Sequence, residues 1–263
     1  MTIDLFTGKP TTASLIPARD PNAVTGSQFI QNNMSLTGTP RNVNILNEFL
    51  SGNIPDFLRN FCEVKVSAGS NTISYFVMPD VLSIGSDSDY CRMPMTPLDA
   101  QKIVDKYDCT LSTRKMVNDT WKAATYKLEP IAHGPPYDLT MLSTDRFNWS
   151  NTMIENQLQK NNIAPGSFIS GIKKDIVLSN ALAPNNPNKR VCIFGWLHTS
   201  GQPIQQLNPV SHESLYLDYS HSSRMVCNDV IVNGQLMRMQ DVFADHTLSS
   251  LISDEGPLTF TRY

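Results

Sequence analysis

The apolar residues of this chain change their period at Pro165-Gly166. From Thr96 to Asn161 they recur at helical spacing; beyond Gly166 they fall in short β-branched or aromatic runs. A helical block followed by a block of strands predicts an α+β protein rather than an alternating α/β one. Thr96-Pro97-Leu98-Asp99 places an N-cap, a proline at the first helical position and an acid at the third, opening a helix to about Tyr107 with Leu98, Ile103 and Val104 buried. Ser112 or Thr113 opens a second helix to about Leu128, with Met116, Val117, Thr120, Trp121 and Ala124 on its buried stripe. These two helices are expected to pack on each other. Thr144-Asp145 opens a third, to about Asn161. Downstream, residues 172–178, 190–196, 214–219, 224–227 and 230–232 read as strands. Asn233-Gly234 is the strongest turn signal and sets a hairpin. Residues 243–252 read as a closing helix.

Upstream, residues 1–41 are dominated by Thr, Ser, Asn, Pro and Gly without a helix or strand period. They are expected to form an extended arm that orders only against a neighbouring subunit. The remaining 42–263 are expected to form a single domain, with a helical middle (94–161) and a mainly antiparallel β module (166–240). A first helix at about 42–51 ends at Gly52, and a short helical turn follows at 54–58. A hairpin turns at Ala68-Gly69-Ser70-Asn71, and residues 81–85 form a short strand. The loop Ser86-Asp87-Ser88-Asp89 lacks the glycine and glutamate of a calcium-binding loop.

Lys and Arg number 21 against 24 Asp and Glu, a formal net charge of −3. There is no basic excess to capture nucleic acid. No apolar run approaches the ~20 residues of a membrane span. The N-terminus lacks the basic and apolar regions of a secretory signal, which implies synthesis and retention in the cytoplasm, or release by assembly into a particle or by lysis. Cys62, Cys91, Cys109, Cys192 and Cys227 are widely spaced with no CxxC pair, as for reduced, mostly buried thiols. Dinucleotide, P-loop, nucleophile-elbow and HExxH patterns are all missing.

Polar chemistry concentrates in residues 196–224. Three of the five histidines, His198, His212 and His221, lie there with Trp196, Tyr216, Asp218, Tyr219, Ser220 and Arg224. As a strand, residues 214–221 would point Tyr216, Asp218 and Ser220 one way. Pairing Asp218 with His221 requires that strand to end near Ser220. On this reading His221, Asp218, Ser220 and His212 carry acid–base chemistry, with His221 as base and Asp218 orienting it or activating water. Trp196, Tyr216, Tyr219, Lys174 and Arg224 bind substrate; Lys173-Lys174 suit a carboxylate or phosphate. No cofactor is required. A zinc site would use His198, His212, His221 and Asp218, although no spacing motif defends it. The alternative is an exposed polar strand face.

The order Gly171-Ile172-Lys173-Lys174-Asp175-Ile176-Val177, Phe194-Gly195-Trp196, Gly201-Gln202-Pro203-Ile204-Gln205 and Tyr216-Leu217-Asp218-Tyr219-Ser220-His221 resembles a group of uncharacterised bacterial and phage-encoded proteins. The likeness extends upstream to Pro94-Met95-Thr96-Pro97 and Thr113-Arg114-Lys115-Met116-Val117 and spans roughly 42–258. In that group a glycine follows the histidine; here it is Ser222. The resemblance implies that these polar residues form a shared site. The resemblance carries no activity, and two functions follow as expectations from the residues themselves: the polar run, the aromatic Trp196, Tyr216 and Tyr219 as sugar platforms and the missing nucleotide motifs favour the first, and the Thr/Ser/Asn/Pro-rich arm favours the second. One is a hydrolase of a cell-envelope polymer, peptidoglycan or surface glycan, phage-encoded and carried in a virion. The other is a non-enzymatic phage structural or adaptor protein docked through its N-terminal arm.

Overall fold

The computed structural model describes residues 16–135, 138–182, 190–209 and 212–263. Two helices come first, α1 (Gly26–Asn33) and α2 (Gly38–Leu50). Two hairpins follow, β1 (Cys62–Ala68) with β2 (Asn71–Val77), and β3 (Ser83–Ser86) with β4 (Asp89–Arg92). The middle holds α3 (Pro97–Lys106), β5 (Cys109–Thr110), β6 (Ser112–Thr113), α4 (Arg114–Ala123), β7 (Tyr126–Lys127) and α5 (Thr144–Lys160). The last third contributes β8 (Ile169–Ser170), β9 (Lys174–Leu178), β10 (Ile193–Leu197), β11 (Pro203–Asn208), β12 (His221–Ser222) and β13 (Val226–Cys227). It ends in the hairpin β14 (Asp229–Val232) and β15 (Gln235–Arg238), then α6 (Met239–Ala244). The protein is α+β.

Two sheets organise the chain. In the first, the order β15-β14-β2-β13-β5 is completed by β1 on the other edge of β2. In the second, β9 is central: β10 pairs antiparallel to it, followed by β11, while β6 and β12 pair parallel to it at successive positions. Those two short parallel pairs are departures from the antiparallel module expected. Each joins β9 to a distant stretch of chain, so no local turn signal announces it. The main core is continuous from Ile16, Phe29 and Phe49 through Val77, Ile103 and Phe147 to Phe243 and Leu251.

Sequence and structure part company in the first 41 residues. Residues 16–41 are not an arm. Thr25 caps α1 by accepting from the Gln28 N–H, and the Gln28 side chain returns to the Thr25 N–H, a capping box. Ile16, Phe29 and Ile30 are buried in the main core. Arg41 lies over the Phe147 ring at 4.4 Å. The helix expected at 42–51 starts four residues earlier. Residues 1–15 of the expected arm lie outside the described residues.

The helix caps at Thr96, Thr113 and Ser143 form as their sequences require, each accepting a backbone N–H three residues on. Yet α3 and α4 do not form a helix pair: α3 packs on α2 and β5, and α4 on β10 and β1. α4 also ends at Ala123, not near Leu128, because residues 126–127 pair with β8. Trp121 is accordingly half-buried at the rim of a cluster containing Val117 and Phe194. The closing helix is two short pieces, α6 and a 3-10 turn at Leu248–Leu251. No helix among the described residues is long and apolar enough to cross a membrane.

Candidate functional site

The segment 214–220 is not a strand. It crosses the body as a turn followed by irregular chain, and regular pairing resumes only at His221. The cause is Asp218. Its carboxylate accepts the Ser220 N–H at 2.8 Å and the Ser220 hydroxyl, an Asx-type turn. The His221 N–H donates to the Asp218 carbonyl at 3.1 Å, closing the turn. This places both side chains on one side: His221 Nε2 lies 3.9 Å from Asp218 Oδ2. With no strand through 214–220 to hold them on opposite faces, the turn at Ser220 brings the pair together.

Next to the turn, β12 docks parallel on β9 with His221 opposite Lys174, so the two side chains share a face. The Lys174 ammonium lies 5.1 Å from the centre of the Trp196 ring. His212 stacks on Tyr216, ring centres 3.9 Å apart and planes 7° from parallel. Both cover His221, at 5.9 Å and 5.6 Å between ring centres. The Tyr216 hydroxyl donates to Asp218 Oδ2 at 3.1 Å. Asp218, His221, His212, Tyr216 and Lys174 thus form one cluster.

The cluster is largely closed to solvent. His221 is 0% exposed and both its ring nitrogens lack a hydrogen-bond partner. Burial pushes its pKa down to about 4, against the pull of Asp218, with Lys174, His212 and Lys173 adding to the fall. Burial also lowers His212, again opposed by Asp218. Lys174 falls for the same reason. Burial alone would raise Asp218, but His221, Lys174 and the bonds from Ser220 outweigh it and hold the carboxyl well below the usual carboxylate range. At neutral pH the centre is a carboxylate beside a neutral imidazole, the protonation state of a base and its orienting acid.

The other candidates fall elsewhere. Ser220 gives its hydroxyl to Asp218 and not to an imidazole. Asp218, Ser220 and His221 therefore lie beneath the surface and do not line an open concave face. Trp196 and Tyr219 are buried and offer no stacking surface to a substrate. A register shift in β10 puts Gly195 at φ +116° and Trp196 at φ +58°. The Trp196 Nε1–H donates to the Ile172 carbonyl at 3.0 Å. The Tyr219 hydroxyl accepts the His133 N–H at 2.7 Å. Arg224 is buried too, donating to the carbonyls of Met78 and Ile169, both at 2.8 Å, so it ties sheets together and does not meet substrate. His198 bonds Glu129 at 2.7 Å on an exposed edge. No described contact brings it to His212, His221 or Asp218. Among the described residues no group of three or more His, Cys, Asp or Glu side chains is placed to hold a metal ion.

Sequence reasoning missed what supports this cluster. Lys173, read with Lys174 as a substrate contact, is buried and donates to Ser150 Oγ at 2.8 Å and to the Tyr219 carbonyl. Burial lowers its pKa to about 7. Behind it Arg92 binds Asp80 through Nε (2.9 Å) and Nη2 (2.6 Å), and Glu155 and Asn151 through Nη1. No local pattern marks a network whose members lie from position 80 to position 155. Comparison of the chain with protein-family models, with curated proteins and with solved structures finds no match.

Proposed function

We propose that this protein is a hydrolase of a cell-envelope polymer, with His221 and Asp218 as its acid–base centre. One observation carries the reading: a fully buried imidazole with both nitrogens unpaired, 3.9 Å from the Asp218 carboxylate. Leaving two buried ring nitrogens unpaired costs stability, on the order of 1–3 kcal/mol for each group. A cost of this kind is typical of sites kept ready for a ligand. The substrate class, peptidoglycan or surface glycan, rests on the sequence reading of the polar run and of Trp196, Tyr216 and Tyr219 as platforms for sugar rings, of which Tyr216 alone is left partly exposed; a virion location rests on the polar N-terminal segment.

In this account His221 takes a proton from the attacking water. Asp218 stabilises the imidazolium that forms and stays fixed by Ser220. Lys174 offers its cation to charge on the substrate. Because His212 and Tyr216 cover His221, substrate reaches it only when that layer moves aside. The test is release of soluble fragments from purified cell envelopes, with Asp218→Asn and His221→Asn as controls. If the folded wild type releases none, the non-enzymatic virion protein becomes the better reading.

A further inference from the structure

The bond cleaved can be inferred from the side chains around His221; this step rests on the hydrolase reading above. Glycoside hydrolysis ordinarily uses two carboxylates roughly 5–10 Å apart. Asp218 is the carboxylate beside His221. Asp175 follows Lys174 on β9, so it points to the opposite face, where the Ser222 hydroxyl lies 3.5 Å away. Acyl transfer through serine needs a hydroxyl bonded to an imidazole, and Ser220 is bonded to Asp218 instead. What the cluster does hold is two imidazoles with ring centres 5.9 Å apart and a lysine ammonium whose strand position faces His221. No described hydrogen bond or ion pair engages the Lys174 ammonium, which lies over the Trp196 ring.

We propose that Lys174, His212 and His221 bind a phosphodiester, so that the polymer cleaved is one whose units are joined through phosphate. Lys174 meets a non-bridging oxygen. Water attacks phosphorus as His221 removes its proton, and the new P–O bond forms. The opposite P–O ester bond breaks, and its oxygen takes a proton from His212. The products are a phosphomonoester and an alcohol. Exchange with solvent returns the His221 proton and reloads His212. The free protein holds His212 low in protons: it faces Lys174, which disfavours its charge, and Asp218, which favours it. His221 faces Asp218, Lys174, His212 and Lys173. An entering phosphate adds negative charge beside both imidazoles and raises His212 toward the acid the step needs. The choice of an envelope phosphodiester over a nucleic acid rests on the hydrolase reading above, because both polymers carry one negative charge per phosphate and the net charge of −3 does not separate them.

The experiment incubates the full chain with a glycerol-phosphate wall polymer, with single-stranded RNA and with phosphate-free peptidoglycan, reading phosphomonoester ends by ³¹P NMR and soluble fragments by chromatography. Cleavage of the glycerol-phosphate polymer is expected, with kcat/KM lowered ~10²-fold or more by His212→Gln and by Lys174→Ala, and partly restored in Lys174→Arg. Inorganic phosphate is expected to move the His212 NMR titration to higher pH, a readout that needs no turnover. Cleavage of RNA alone overturns the polymer assignment. Cleavage of peptidoglycan alone overturns the phosphodiester while leaving the hydrolase reading standing. Silence on all three substrates overturns both. A His212 titration unmoved by phosphate overturns the binding site.

Discussion

Asp218 and His221 face each other across a turn of four residues, carboxylate to imidazole at 3.9 Å, with no hydrogen bond between the two side chains. The turn is closed by the Asp218 side chain itself through Ser220. Ser220→Ala removes the hydroxyl bond but keeps the N–H bond. It is expected to cost about 1.5–3 kcal/mol, the worth of one hydrogen bond to a charged group, and to raise the Asp218 pKa. Urea unfolding and carboxyl NMR titration measure the two effects.

His221 also sets a pH dependence of stability. Its folded pKa of about 4 lies below the ordinary 6.5. Between these values the unfolded chain binds more protons, so the neutral imidazole's contribution is complete above about pH 6.5 and is lost as pH falls toward 4. Asp175, raised by burial to about 6, acts in the opposite sense over an overlapping range. The His221 part is therefore read as a difference. The wild type should lose roughly 3 kcal/mol more than His221→Asn between pH 7 and pH 4. Equal losses in the two proteins would remove this role.

Arg92 and Asp80 are both buried and joined by two hydrogen bonds. Asp80→Ala strands a buried guanidinium still held by Glu155 and Asn151. It should cost about 3–5 kcal/mol in chemical unfolding. Asp80→Leu combined with Arg92→Met should cost less than the sum of the single changes, since neither member of the buried pair is left alone; Glu155, 27% exposed, loses its partner to solvent.

Gly171 has φ +105°, and a Cβ there would sit 2.4 Å from the Leu128 carbonyl oxygen and 2.7 Å from that of Leu197. The backbone on both sides leaves it no space. Gly171→Ala should lower stability by at least ~2 kcal/mol, measured by denaturant midpoint at unchanged slope.

Phe29 is 2% exposed in the main core. Phe29→Ala should cost about 3–5 kcal/mol. Residues 16–41 acting as a detachable arm would instead leave the unfolding midpoint unchanged.

The parts of the fold that were legible in sequence are those fixed by local chemistry. The caps at Thr96 and Thr113 and the turn at Asn233-Gly234 each act within a few residues, and they form where expected. The capping box of Thr25 and Gln28 was legible by the same rule but was hidden in a polar composition. Long-range pairing was not legible. The two parallel docks on β9 tie it to residues 112–113 and 221–222, and only tertiary packing selects them. The same limit divides the site. Asp218, Ser220 and His221 are neighbours in the chain, and their meeting could be anticipated once a turn was allowed. Burial of Trp196, Tyr219 and Arg224 could not, because aromatic and cationic residues read as surface chemistry until their partners are known.

If Asp218 and His221 perform hydrolysis, fragment release depends on both side chains. The most direct measurement is the rate of fragment release from purified envelope polymer by wild type, Asp218→Asn and His221→Asn, each shown to be folded by its unfolding transition. Each substitution is expected to lower kcat/KM by ~10²-fold or more, with the double variant little worse than either alone because the pair acts as a unit. Undiminished turnover in either folded variant would contradict it.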